Sequence, residues 1–323
     1  MLSFQNIIKI EVRVMSKINN NLEYIVESAK NPEAFIKECE DRYNNKIEKI
    51  ARNIAETEKV EIVMLAGPSS AGKTTTAKKL RQHLEALGVK SYTVSLDDFY
   101  VDNCDAPRFP DGTPDFETVD ALDIEFFEET MKKLIETGEA DLPEFDFLEG
   151  KRKSTYNHIK ITEKDVIIVE GLHALNPRIT EHLPEERLLK IYINVSSRIY
   201  DEKKTILFNK RNMRFIRRMV RDFKFRGNSV EKSHEMWLTV CYGEDMYLFP
   251  FKDNADVTIN TIHLYETCIL KNTAIELLKE IKKDSEFYKE SQRLIRSLSL
   301  FPEIDSSKVP ENSLMREFIG YDK

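Results

Sequence analysis

The sequence predicts a doubly wound α/β fold, a parallel sheet with helices on both faces and helical extensions at its N- and C-terminal ends. Short apolar, partly β-branched runs alternate with helical stretches, the first run passes directly into a glycine-rich turn, and no internal repeat or low-complexity tract interrupts the pattern. At 323 residues the chain can bury a sizeable core without staples.

In chain order, residues Met1 to Val14 are weakly patterned and precede Met15, so they read either as an extra strand or as sequence upstream of the natural start. From Leu22 to about Glu56 the chain is charged and free of glycine, with Ile47, Ile50 and Ile54 at three- and four-residue steps, which predicts an amphipathic lead-in helix. Glu61 to Ala66 reads as a buried parallel strand. The helix after it carries Ala77, Leu80, Leu84 and Leu87 as its buried stripe, with Gly88 placed to end it. Ser91 to Leu96, Val166 to Val169, Leu188 to Val195 and Ala255 to Ile259 complete the expected strands. A charged helical stretch from about Thr267 to Leu298 and a tail with Pro302 and Pro310 close the chain. The expected division is an N-terminal helical extension (1–57), the α/β domain (58–283), and a C-terminal helix and tail packed on that domain (284–323).

A net charge of -7 argues against a protein that coats nucleic acid or an anionic membrane. Cys39, Cys104, Cys241 and Cys268 lie far apart without CxxC or Cys/His ligand spacing, which fits a reducing compartment. No run approaches the roughly 18 apolar residues of a membrane span, and the start reads unlike a signal peptide. The expectation is a cytoplasmic protein without a membrane partner. A homo-oligomer stays open. The histidines show no ligand spacing, although His173 follows closely on an acid considered below, and Trp237 reads as helix packing.

Between the first strand and its helix stands Gly67-Pro68-Ser69-Ser70-Ala71-Gly72-Lys73-Thr74, followed by Thr75. It fits G-x-x-x-x-G-K-[ST] in the strand-loop-helix context that this phosphate-binding loop requires. Glycines at both ends let the backbone wrap a polyphosphate, successive N–H groups and the helix N-terminus supply positive potential, Lys73 reaches the outer phosphates, and Thr74 offers a hydroxyl to magnesium.

Two acidic sites follow strands. In Ser95-Leu96-Asp97-Asp98-Phe99-Tyr100 either Asp97 or Asp98 is placed to accept a hydroxyl proton, with the ordinary alternative of a turn-forming role. Val166 to Gly171 is an apolar strand ending in Glu170, a magnesium ligand directly or through water. Further on, Lys210, Arg211, Arg214, Arg217, Arg218, Arg221, Lys224 and Arg226 crowd together. Arg214, Arg217, Arg218 and Arg221 share one helical face, and Ile216, Met219, Val220 and Phe223 the opposite one. Such a helix docks by its apolar face and presents guanidinium groups to phosphate, with Arg226-Gly227 beginning a mobile lid. A solvated charged face or an RNA-binding patch is the rival reading.

From about Val60 to Ile262 these pieces, in this order, resemble the uridine kinase and phosphoribulokinase family of P-loop kinases. The resemblance is carried by Gly67 to Thr75, Ser95 to Tyr100, Pro114-Asp115-Phe116-Glu117, Leu142 to Phe147, Val169-Glu170-Gly171, and Arg217 to Asp222 with Arg226-Gly227. A closer likeness is to the nucleoside kinase-like module found behind a threonyl-tRNA-synthetase-like region, without that region in this chain. It extends through Phe225 to Ser229, Phe249-Pro250-Phe251 and the terminal Asn312 to Gly320.

The resemblance implies a P-loop NTPase-type sheet and an ATP- and magnesium-dependent phosphotransferase acting on a small nucleoside such as uridine. A sugar or sugar-phosphate kinase, or an ATP-binding regulatory or RNA-associated protein, is the alternative. Asp97 resembles the catalytic base, and Asp97, Thr74 and Glu170 the groups that organise magnesium. Gly67, Ser69, Ser70, Ala71, Gly72, Lys73, Thr74 and Thr75 resemble the nucleotide cradle, with Arg218, Arg221 and Arg226 as lid arginines. Tyr100, Glu117, Phe145, Phe147 and Arg218 fall on the substrate side, and Glu117 stands where uridine kinases place a ribose-binding aspartate. The base readers depart from the family: Phe145-Asp146-Phe147 and Gly150 replace the tyrosine and histidine that read a pyrimidine.

Overall fold

The computed structural model describes residues 19–57 and 60–321, so the question of a strand within Met1 to Val14 lies outside the described residues. The lead-in segment is two helices, α1 (Leu22–Ser28) and α2 (Pro32–Thr57). The break falls at Asn31-Pro32, because a proline disfavours the helical conformation of the residue before it and is well placed to open the next helix.

Strand β1 (Ile62–Ala66) feeds the glycine-rich turn and helix α3 (Lys73–Ala86). Gly88 takes φ of 80° beyond the end of α3, while Leu87, expected in the buried stripe, is its C-cap and stands 40% exposed. Strand β2 (Ser91–Ser95), helix α4 (Ile124–Thr137), strand β3 (Val166–Gly171) and strand β4 (Leu188–Asn194) follow. Then come helices α5 (Lys210–Arg226) and α6 (Val230–Tyr247), strand β5 (Val257–Asn260), and helices α7 (Glu266–Lys279) and α8 (Tyr288–Leu298). The expected Thr267–Leu298 helix is thus divided, with a hydrogen-bonded turn at Lys282–Ser285 between its halves. Small antiparallel pairs, Glu139–Leu142 with Asn157–Lys160 and Phe145–Asp146 with Lys151–Arg152, stand beside the sheet.

All five predicted strands form one parallel sheet, in the order β5-β4-β1-β3-β2. Its register brings the site together. Leu65 of β1 and Ser95 of β2 both lie beside Glu170 of β3, so the glycine turn, Asp97 and Glu170 leave the same carboxyl edge. That edge, where the strand order reverses, is where open α/β sheets hold ligands.

Alternation along each strand divides the core. Val63, Leu65, Ile168 and Ile191 face a cluster that takes in Ile47 and Ile50 of α2, Leu80 of α3, Met219 of α5, Leu294 of α8 and Phe318 of the tail. Ile62, Met64, Val94 and Val169 face the other cluster, with Phe127 and Leu134 of α4. Both helical extensions therefore share the core of the sheet. At their meeting point Tyr265 donates to the buried Glu40 of α2 at 2.6 Å, and Ser313 of the tail donates to the same oxygen.

The arginine helix docks by its apolar face as expected, with Ile216, Met219 and Val220 buried in the core, but its arginines do not face outward. Its cationic face turns inward against the glycine loop, with Arg214 1% and Arg217 0% exposed, while Phe223 is 48% exposed. Arg214 makes a two-pronged pair with Glu244 of α6 and donates to the Ser69 carbonyl at 3.0 Å. Arg217 pairs in the same way with Glu266 of α7 and donates to the Ser70 and Thr261 carbonyls. Arg211 pairs with Asp245, and Arg218, Arg221 and Arg226 all approach Asp222. Most of the positive charge is therefore matched internally, and Arg214 and Arg217 lie out of reach of an RNA. The expected lid at Arg226-Gly227 is a tight corner: Gly227 takes φ of 66° as the C-cap of α5 and Ser229 caps α6.

A buried pair broken from one side leaves an uncompensated charge. Glu266→Ala is expected to cost about 3–5 kcal/mol, read from the urea midpoint at constant slope, and to loosen the glycine loop that Arg217 holds.

Candidate active site

The glycine loop is shaped by close approach on two sides. A Cβ on Gly67 would lie 2.5 Å from the Ile193 side chain and 2.7 Å from its carbonyl oxygen. Gly72 has φ of 90°, and a Cβ there would lie 2.4 Å from Leu314. Between them Ser70 adopts the left-handed region at φ 58°, turning the chain into α3. Not every loop amide faces the cradle: Ser69 N–H donates to Glu244 at 2.9 Å, and Ala71 N–H closes a turn on the Pro68 carbonyl. The amides at the start of α3, with Lys73 and the helix dipole, are the cradle's source of positive potential.

A cavity of about 240 Å3 opens above this loop. Ser69, Ser70, Gly72, Lys73 and Thr74 line its floor, Asp97, Tyr100 and Glu170 one wall, and Glu117, Arg218, Arg221 and Arg226 close it. Most of the site residues expected from sequence thus converge. Gly67 and Ala71, within the loop, and Thr75, which follows it, do not line this cavity. Phe145 is buried against Tyr100, and Phe147 is 65% exposed at the hairpin tip, so neither ring borders this cavity.

The adjacent aspartates separate cleanly. Asp98 accepts from the Phe145 amide at 3.1 Å and anchors the hairpin, which leaves Asp97 as the carboxylate on the cavity. Burial raises the Asp97 pKa, opposed by the charges of Lys73 and Arg226. Glu170, 7% exposed, accepts from Thr74 Oγ1 at 3.1 Å. Desolvation pushes its carboxyl up to about 7 against the pull of Lys73. Glu117 is also pushed up to about 7, by burial and then by Glu244, with Arg218 opposing.

The approach of Glu117 depends on Gly243, where a Cβ would lie 2.3 Å from the Glu117 Cβ. Asp115 accepts from the Glu117 amide and Tyr100 donates to the Phe116 carbonyl, so the Pro114–Glu117 turn is fixed from two sides. Arg218 donates to the Ser69 hydroxyl at 2.8 Å. His173 is 2% exposed, and burial lowers its pKa to about 4.

Glu244 and Glu266, which hold the loop through arginine, carry no local sequence signature. Glu317 also reaches the cavity, and its carboxylate accepts from Thr75 Oγ1 at 2.7 Å. Its only sequence signal is its place within the patterned terminal segment Asn312–Gly320.

The family described as Phosphoribulokinase / Uridine kinase matches residues 62–267, well over half of the chain. The uridine kinase of Clostridium botulinum (strain Kyoto / Type A2) is 28% identical over 200 residues, which span 61% of this chain and 86% of that protein. The uridine kinase of Borrelia duttonii (strain Ly) is 30% identical over 204 residues, 62% of this chain and 86% of that one. Among solved structures, D-glycerate 3-kinase from Cryptococcus neoformans superposes with a TM-score of 0.40 at 16% identity, covering 68% of this chain and 87% of its own. With the P-loop, the parallel sheet and the matched residues in agreement, the chain belongs to the phosphoribulokinase and uridine kinase family of P-loop kinases.

Proposed function

We propose that this protein transfers the γ-phosphoryl group of ATP, with magnesium, to a hydroxyl of a nucleoside such as uridine, the 5'-hydroxyl. The observation that carries the reading is the placement of Asp97, Lys73 and the Thr74–Glu170 pair on one cavity, although they come from three separate strand ends. The donor set fits the cofactor. Among the described residues no group of three or more His, Cys, Asp or Glu could hold a metal alone. Magnesium usually binds through one or two protein oxygens together with phosphate and water. Thr74 and Glu170 would hold it, and the nucleotide, when bound, supplies the transferable group and the remaining oxygens.

The chain's own task is positioning and charge. Asp97 takes the proton of the incoming hydroxyl, Lys73 with Arg218, Arg221 and Arg226 offsets negative charge on the transferring group, and Glu117 accepts from sugar hydroxyls. Phe147, exposed at the hairpin tip, offers a ring that a base can stack on, while Phe145 is buried and packs behind it. Four free thiols suit a cytoplasmic setting, and among the described residues no helix is long and apolar enough to cross a membrane.

A second reading, a kinase for a sugar or sugar phosphate, is favoured by the polar lining of the cavity and the absence of either phenylalanine from it. A panel of nucleosides, pentoses and pentose phosphates with magnesium ATP separates the two. A folded, ATP-binding protein inert on every member would overturn both.

Asp97→Asn is expected to lower kcat by about 10²–10⁴-fold while nucleotide binding persists, measured by single-turnover assay and calorimetry. Because burial raises the Asp97 pKa and the unprotonated form is the base, activity falls as pH drops, and this acid limb is lost in the variant. Glu170, at about 7, must lose its proton to hold a cation, so magnesium-nucleotide affinity is expected to rise between about pH 6 and pH 8 and then level. A flat affinity across that window removes Glu170 from the metal site.

A further inference from the structure

The segment Asn312–Gly320 lies beyond the residues matched to the family, yet it enters the site. It is clamped on the phosphate loop and on α5. Leu314 fills the space beside Gly72, Phe318 lies under the Arg217 guanidinium at 5.2 Å, and Lys224 donates to the Ile319 carbonyl at 2.9 Å. This clamp sets Glu317 on the third residue of α3, where its carboxylate takes the Thr75 hydroxyl at 2.7 Å. Arg226 is close enough for its charge to be felt.

Glu317 also marks a boundary. A second cavity, of about 600 Å3, runs along α3 past Lys78 and Gln82 and is walled by Asn312 and Tyr321. It shares Thr74, Arg221, Arg226 and Glu317 with the smaller cavity over the phosphate loop. Its size suits a ligand rather than a few waters, since ligand pockets run to about 300–1,000 Å3. A nucleoside triphosphate held by its phosphates at the start of α3 has its sugar and base still to place, and the larger cavity is the adjoining space. At the neck stands a carboxylate, which repels phosphate and takes up a hydroxyl donor that a phosphate oxygen would use.

Resting on the nucleotide reading of the cradle, we propose that the larger cavity takes the sugar and base of the nucleoside triphosphate, that residues 311–321 form its wall, and that Glu317 is a gate the nucleotide displaces.

The test is calorimetry on the full chain with magnesium ATP and with magnesium tripolyphosphate, which has the phosphates but no sugar or base. Glu317→Gln is expected to tighten both ligands by about tenfold, the scale of removing a like charge from a partly buried site. Glu303→Gln, which removes an equal charge from an exposed position lining neither cavity, is expected to change neither by more than about twofold, as distance and solvent screen it. Asn312→Trp, at an exposed position, is expected to weaken ATP by about tenfold through steric loss of the base site while leaving tripolyphosphate unchanged. Glu317→Asp keeps the charge and is expected to stay near the parent protein. The gate is overturned if Glu317→Gln binds both ligands no tighter than the parent. The wall is overturned if Asn312→Trp weakens both ligands or neither. Binding of neither ligand by any of the proteins overturns the cradle reading itself, and this proposal with it.

Discussion

Two buried arginine–carboxylate pairs set the shape of the phosphate loop, and the rest of the site follows from them. Arg214 with Glu244, and Arg217 with Glu266, each carry a guanidinium into the Ser69–Ser70 backbone from behind. Arginine is suited to this because its planar fork satisfies a carboxylate with two donors and still offers others to carbonyl oxygens. The pairs link α5, α6 and α7 to a turn made mostly of small residues. Apart from Pro68, a loop of glycine, serine and alanine would otherwise be free to adopt many conformations. Held this way, it presents the start of α3 in one geometry.

On the open side of the same loop the balance reverses. Asp97, Glu117 and Glu170 crowd a cavity with Lys73 and three arginines, and low solvent access raises the pKa of each acid. Glu117 and Glu170, pushed up to about 7, are poised where a carboxyl group exchanges protons and cations readily. Such a cluster is costly to assemble without ligand. Its tolerance depends on the rigid edge formed by β1, β2 and β3, where register alone places Glu170 beside Leu65 and Ser95.

The extensions are part of this arrangement. Helix α2 and the C-terminal segment meet over Glu40, Tyr265 and Ser313, and their apolar residues join the cluster on one face of the sheet. Through Leu314, Glu317 and Phe318 the end of the chain touches Gly72, Thr75 and Arg217. Folding of the tail and formation of the nucleotide site are therefore coupled through shared contacts.

The sequence by itself determined what depends on local pattern: five apolar runs that became the five parallel strands, the glycine-lysine-threonine turn before a helix, and an acid at the end of each of two strands. These are readable because strand burial, turn geometry and helix starts are written in neighbouring residues. Only the tertiary structure decided which partners distant residues meet. It separated Asp97 from Asp98 by giving the latter to the Phe145 amide, buried the arginine face as well as the apolar one because Glu244 and Glu266 stand in the helices packed against it, and left Phe147 outside the cavity. It brought Glu317 to Thr75 across most of the chain's length. Charge pairing across such separations leaves no periodicity to read, because it is fixed by how helices pack on the sheet and not by the order of residues within any one of them.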